Sequence, residues 1–85
     1  MINILFFGQL RERLATDALT LDITQLSPPC TVQSLRDFLG QKGSEWQTLI
    51  NADNCLVAVN QTMASNQTQL QANDEVALFP PVTGG

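Results

Sequence analysis

Strand-like runs stand at both ends of this chain, with one long amphipathic segment between them, and this order limits the fold more than any other feature. Residues 2–7 form an apolar, β-rich run closed by Gly8. Residues 18–23 alternate, with Leu19, Leu21 and Ile23 on one side and Thr20 and Asp22 on the other, which predicts a half-buried hairpin partner for the first run. Residues 55–59, 62–65 and 75–79 are the later strands, and Asn60-Gln61 is a two-residue hairpin turn. Between these groups, residues 9–15 predict a short helix with Leu10 and Leu14 on one face. Residues 24–30 contain Ser27-Pro28-Pro29 and must be loop. Thr31 then caps the main helix, where Val32, Leu35, Phe38 and Leu39 recur at helical spacing while Arg36, Asp37 and Lys42 face away. That helix ends near Gly40 or Gly43. Ser44 with Gln47 predicts a capping box for a short turn carrying Trp46, Leu49 and Ile50 as satellite core. Leu70 anchors a polar loop over 66–73. A single main helix covers only one face of a sheet, so the expected fold is an α+β roll with four or five strands in a mixed sheet.

Alternation along the strands assigns the two faces. Ile2, Ile4, Phe6, Val57, Val59, Val76 and Leu78 would meet the helix. The other face carries Leu5, Phe7, Leu56, Ala58, Met63, Ala77 and Phe79, because residues 58 and 63 pair across the hairpin and share a side. That is unusually apolar for a sheet face open to water, and its clustering predicts a protein interface.

Composition narrows the function. At 85 residues the chain is one small domain with a core that needs no staples. Hydrophobic residues make up 44% and charged ones 14%, which excludes disorder. The net charge of −4 and pI near 4.2 leave no basic cluster to displace counterions from nucleic acid or an anionic membrane, and favour a basic protein partner. With no histidine and no tyrosine, His-based triads and His-liganded metals are ruled out, and no metal site is expected. Cys30 and Cys55 lack a CxxC spacing or a third ligand. Cys55 is expected as a small core residue, and Cys30, in a loop, has no flanking cation to activate it. The apolar start has no basic region or cleavage site, and no apolar run approaches about 18 residues, so a cytoplasmic location is expected. Asn60-Gln61-Thr62 and Asn66-Gln67-Thr68 match the glycosylation pattern by chance if no secretory route exists.

The chemistry lies at the C-terminus. Pro80-Pro81 cannot continue a sheet, so a body of residues 1–79 is expected to end in an extended arm, Pro80, Pro81, Val82, Thr83, Gly84 and Gly85. Six residues at about 3.3 Å each reach roughly 20 Å. The last two lack side chains and can enter a channel too narrow for a Cβ. The reactive group at the tip is the Gly85 carboxylate.

These features resemble the β-grasp, ubiquitin-like sulfur carriers, and among them the small subunits of molybdopterin synthases. The resemblance spans nearly the whole chain. It rests on Ile4-Leu5-Phe6-Phe7-Gly8 with Leu10-Arg11-Glu12, on residues 56–61 of the hairpin, and on the closing stretch from Asp74 to Gly85. The one departure is a slightly longer, more proline-rich loop over 25–30. The resemblance implies a β-grasp fold and a Gly85 that an ATP-dependent adenylating enzyme of the ubiquitin-activating type adenylates. A thiocarboxylate then forms and donates its sulfur to cyclic pyranopterin monophosphate. It implies no bound cofactor, with ATP used by the activating enzyme. The partners it implies are that enzyme and a large synthase subunit, assembled as two small with two large subunits. The substrate pocket would lie on the large subunit, since this chain has only Arg11, Arg13, Arg36 and Lys42 to offer a phosphate. Phe7, Met63, Phe79, Leu5, Ala58, Glu75 and Arg11 are the expected interface, with Glu75 steering a basic partner. A ubiquitin-like modifier, a thiamin-type sulfur carrier, and an interaction module with an inert tail remain alternatives. The lone Lys42 argues against chain building but not against single conjugation.

Overall fold

The structure, a computed structural model, describes residues 1–80. Five strands are present: β1 (Ile2–Phe6), β2 (Ala18–Leu21), β3 (Leu56–Val59), β4 (Thr62–Met63) and β5 (Glu75–Phe79). Three helices accompany them: α1 (Gly8–Leu14), α2 (Val32–Gly40) and α3 (Ser44–Ile50). The sheet runs in the order β2-β1-β5-β3-β4. Its central pair, β1 and β5, is parallel, and the remaining neighbours are antiparallel. This is the mixed sheet of a β-grasp roll, with α2 over one face.

The core forms where the inward rows meet α2. Ile2, Ile4, Val76 and Leu78 from the central strands and Val32, Leu35 and Leu39 from α2 are fully buried. Leu10 and Leu14 of α1 close one end, and Ile50 of α3 and Leu70 of the long loop join the same cluster. Phe6 meets Trp46 edge-to-face at 5.6 Å between ring centroids, which holds α3 against β1. Thr31 caps α2 as its sequence position predicts: its hydroxyl accepts from Ser34 N at 3.3 Å, and Ser34 Oγ accepts from Thr31 N at 3.2 Å.

Several local expectations are corrected. Arg36 does not face away; its side chain is buried, and its Nη1 and Nη2 donate to Ile50 O and Cys55 O, each at 2.8 Å. Phe38 is only partly buried, because it borders a groove beside β2 rather than the centre of the core. Val59, next to the short edge strand, is also half-buried. β2 stops at Leu21 because the Asp22 carboxylate accepts from Thr24 N at 3.0 Å and turns residues Ile23–Gln25 into a 3₁₀ turn. That bond holds the carboxyl below its usual range. β4 is two residues long, since Thr68 Oγ1 accepts from Ser65 N at 3.0 Å and bends the chain out of the sheet. Ser44 forms no capping box: Gly43 occupies the N-cap, and the Gln47 side chain accepts from Asn51 Nδ2 instead. Asn60 and Gln61 adopt φ of +51° and +69°, so the two-residue turn forms although glutamine is poorly suited to it. Among the described residues, no helix is long and apolar enough to cross a membrane.

Candidate interface at the root of the C-terminal arm

The face of the sheet turned away from α2 is assembled by register. Leu5 pairs with Ala77, Ala77 with Ala58, and Ala58 with Met63, so one apolar row crosses β1, β5, β3 and β4. A second row lies one step closer to the arm. Phe79 pairs with Leu56, and Phe7 N donates to Leu78 O at 3.1 Å, which holds the residue after β1 beside the end of β5. Phe7 is 46% exposed and Met63 60%, both high for large apolar side chains. Phe79, Leu5, Leu56 and Ala77 are half-buried, while Ala58, small and flanked by Ala77 and Met63, is buried.

The polar candidates stand at the margins. Glu75 shares the apolar face but opens β5, four residues before Phe79 and so about 13 Å from the arm along the strand. Its backbone is held by Asn60, whose N donates to Glu75 O at 2.8 Å and whose Oδ1 accepts from Glu75 N at 3.0 Å. Arg11 lies on α1 outside the strand rows, with Nε 3.8 Å from the exposed Asp17 carboxylate. The structure therefore brings Leu5, Phe7, Ala58, Met63 and Phe79 onto one surface, puts Glu75 at its far end, and leaves Arg11 on the neighbouring helix.

β5 ends at Phe79, and Pro80 lies against Gly8, where an added Cβ would stand 3.1 Å from the proline Cγ. A notch of about 520 Å³ opens there, bordered by Leu10 and Arg13 of α1 and by Leu49, Asn54 and Cys55. Arg13 is already paired with Glu45 at 3.0 Å. The sequence-assigned arm residues Pro81, Val82, Thr83, Gly84 and Gly85 lie outside the described residues.

Chemistry elsewhere in the molecule is sparse. Cys55 is buried, and burial pushes its thiol up, an effect that the neighbouring Arg36 charge opposes only in part. A thiol held protonated is a poor nucleophile. Cys30 is partly buried, and both cysteines are free. Among the described residues no cluster of three or more His, Cys, Asp or Glu could hold a metal ion. The feature missed from sequence is the Arg36 clamp, although position 36 falls four residues after Val32 and so on the buried stripe.

A helix-backed sheet with a bare apolar face beside the exit of its last strand defines the class: a ubiquitin-like β-grasp domain. A crystal structure of SAMP1 from Haloferax volcanii has the same fold, with 27% identity, a TM-score of 0.76, and coverage of 99% of this chain and 98% of that one. The ThiS family matches residues 4–85, and the chain belongs to that family. Two curated relatives named molybdopterin synthase sulfur carrier subunit align over 100% of both chains. The Haemophilus influenzae protein is 40% identical and the Escherichia coli protein 42%.

Proposed function

We propose that this chain is the sulfur carrier subunit of a molybdopterin synthase, with Gly85 as the carrying residue. The observation that supports it is the junction of an apolar face, on which Phe7 and Met63 are exposed and Phe79 is half-buried, with the root of an arm whose sequence ends Gly84-Gly85.

A terminal carboxylate, with an ordinary pKa near about 3.5, is ionised at neutral pH and is a poor electrophile. It gains reactivity when its oxygen attacks the α-phosphate of ATP on an activating enzyme, forming the acyl adenylate and releasing pyrophosphate. A sulfur donor then displaces AMP, leaving –COS⁻ on Gly85. This soft nucleophile needs no base from this chain, in keeping with the absence of histidine. In the complex with a large subunit it would deliver its sulfur to cyclic pyranopterin monophosphate, and repeated delivery would build the dithiolene. The carrier holds no cofactor of its own; ATP belongs to the activating enzyme, and the phosphate-binding pocket to the large subunit.

Mass spectrometry of the chain incubated with its activating enzyme, ATP and a sulfur source tests this reading. The expected result is one sulfur-for-oxygen exchange on the terminal residue. An amide-linked adduct would point to a protein modifier, and an unchanged mass to an inert tail.

The face sets a second expectation. Phe7→Ala should weaken docking to the large subunit by about 1–3 kcal/mol. Because Phe7 is exposed, the free fold should lose far less than with Leu35→Ala, which removes a fully buried side chain at about 2–5 kcal/mol. Isothermal titration and denaturant unfolding measure the two effects separately, and equal loss of fold stability would reverse the assignment of the faces. Both enzymes must receive the tip of an arm only about 20 Å long, so both dock near its root and exclude each other. A stable ternary complex on one carrier would contradict this.

A further inference from the structure

The sheet has two edges. β4 is two residues long, whereas β2 presents four residues in unbroken register with β1. Phe6 N donates to Asp17 O at 2.9 Å, so the hydrogen-bonded pairs between these strands are Phe6 with Asp17, Ile4 with Leu19 and Ile2 with Leu21. The amides and carbonyls of Ala18 and Thr20 therefore point outward, away from β1. Nothing inside Ala18–Leu21 blunts this edge: no proline, no charge and no bulge.

Beside the edge runs a groove of about 220 Å³ between β2 and α2, floored by Leu19, Leu21, Phe38 and Leu39, with Lys42 on its rim. This groove explains why Phe38 is only half covered. Asp17 and Asp22 flank the strand, one on each side, and both are exposed. The Thr24 amide and hydroxyl both donate to the Asp22 carboxylate and lower its pKa, and Arg11 approaches Asp17 only to 3.8 Å.

We infer that β2 is a second docking edge, distinct from the apolar face, that accepts an extended peptide with a short alternating apolar core and a basic residue at each end. The added strand bonds to the outward groups of Ala18 and Thr20. Its apolar side chains, opposite Leu19 and Leu21, enter the groove against Phe38, and its cations meet Asp17 and Asp22. A second copy of this chain is the poorer occupant, because pairing through the outward groups sets Ala18 opposite Thr20, which puts the Asp17 carboxylate of each copy opposite Leu21 of the other and offers neither Asp17 nor Asp22 a cation.

The test is an amide NMR titration of the full chain with the peptide acetyl-Ser-Lys-Val-Thr-Val-Thr-Lys-Ser-amide, whose Lys residues stand five positions apart like Asp17 and Asp22, and with the same peptide carrying Glu for both Lys. The basic peptide should bind at least about tenfold tighter and shift the amides of Ala18–Leu21 and Phe38, and added salt should narrow that ratio. Thr20→Pro deletes an outward donor and leaves the β1–β2 bonds in place, so it should abolish binding while the Ile4 and Leu19 amides keep their positions. If that variant fails to fold, Phe38→Asp, at a half-exposed groove position, serves instead and should weaken binding at least about tenfold. Equal binding of both peptides, undiminished binding by the folded variant, or shifts confined to Phe7 and Phe79 would overturn the proposal. Concentration-dependent shifts at β2 without peptide would also overturn it, in favour of self-association.

Discussion

Deletion of Gly85 is expected to abolish sulfur loading and leave the fold untouched. The truncated chain still ends in a glycine carboxylate, but that carboxylate is withdrawn by about 3.3 Å. Bringing an oxygen onto the α-phosphate of ATP demands near-attack geometry, where a misplacement of about 1 Å can cost on the order of 100-fold, so a full residue should push the rate below detection. The body has no stake in the change: β5 ends at Phe79, and the last buried side chain of that strand is Leu78. The unfolding free energy should therefore stay within about 0.5 kcal/mol of the parent. Mass spectrometry after incubation with activating enzyme, ATP and sulfur donor reads the loading, and denaturant unfolding reads the fold. Gly84→Val should behave alike, because a β-branched residue restricts the backbone and adds a side chain to a tip whose sequence has none. Loading of the truncated chain at the parent rate would remove Gly85 from its assigned role.

The faces of the sheet were legible because one turn fixes one register. With Asn60-Gln61 as the loop, residue 58 must oppose 63, and period-two alternation then carries the assignment along β3; the observed pairing of Ala58 with Met63 follows that rule. The capped start of α2 was legible for a similar reason, since Thr31 precedes an apolar stripe at helical spacing. The parallel pairing of β1 with β5 was not, because Asn3 and its partner Glu75 stand 72 positions apart and no local pattern records such a contact. Side-chain competition also escaped the reading. Asp22 and Thr68 each divert the chain from a strand by bonding a nearby amide, which cuts β2 and β4 shorter than their alternation suggests. The arm assignment rests on the sequence alone, on two glycines and a carboxylate, and its last five residues lie outside the described ones.

Arg36 is where spacing and residue type disagreed, and it predicts the largest loss of stability from a single change outside the apolar core. Its charge favours solvent, yet it lies on the buried stripe of α2 with 7% of its surface exposed. The guanidinium donates to Ile50 O, the last residue of α3, and to Cys55 O, just before β3, so one side chain ties three elements together. Among the described residues no carboxylate pairs with it and its buried Nε has no partner, so the clamp works against the cost of burying a charge. Arg36→Ala removes both donors, orphans two carbonyls and opens a void. At about 1.5–3 kcal/mol for each charge-assisted bond, less the relief of the buried charge, the net loss should be about 3–4 kcal/mol. Arg36→Lys should recover only part of this, because an ammonium cannot copy the two-pronged reach of the fork. Arg36→Met should recover the packing but not the carbonyl partners, and so fall between the two. Guanidinium chloride unfolding of the three variants checks the order. A loss below about 1 kcal/mol for Arg36→Ala would show that water satisfies the two carbonyls as well as the clamp does.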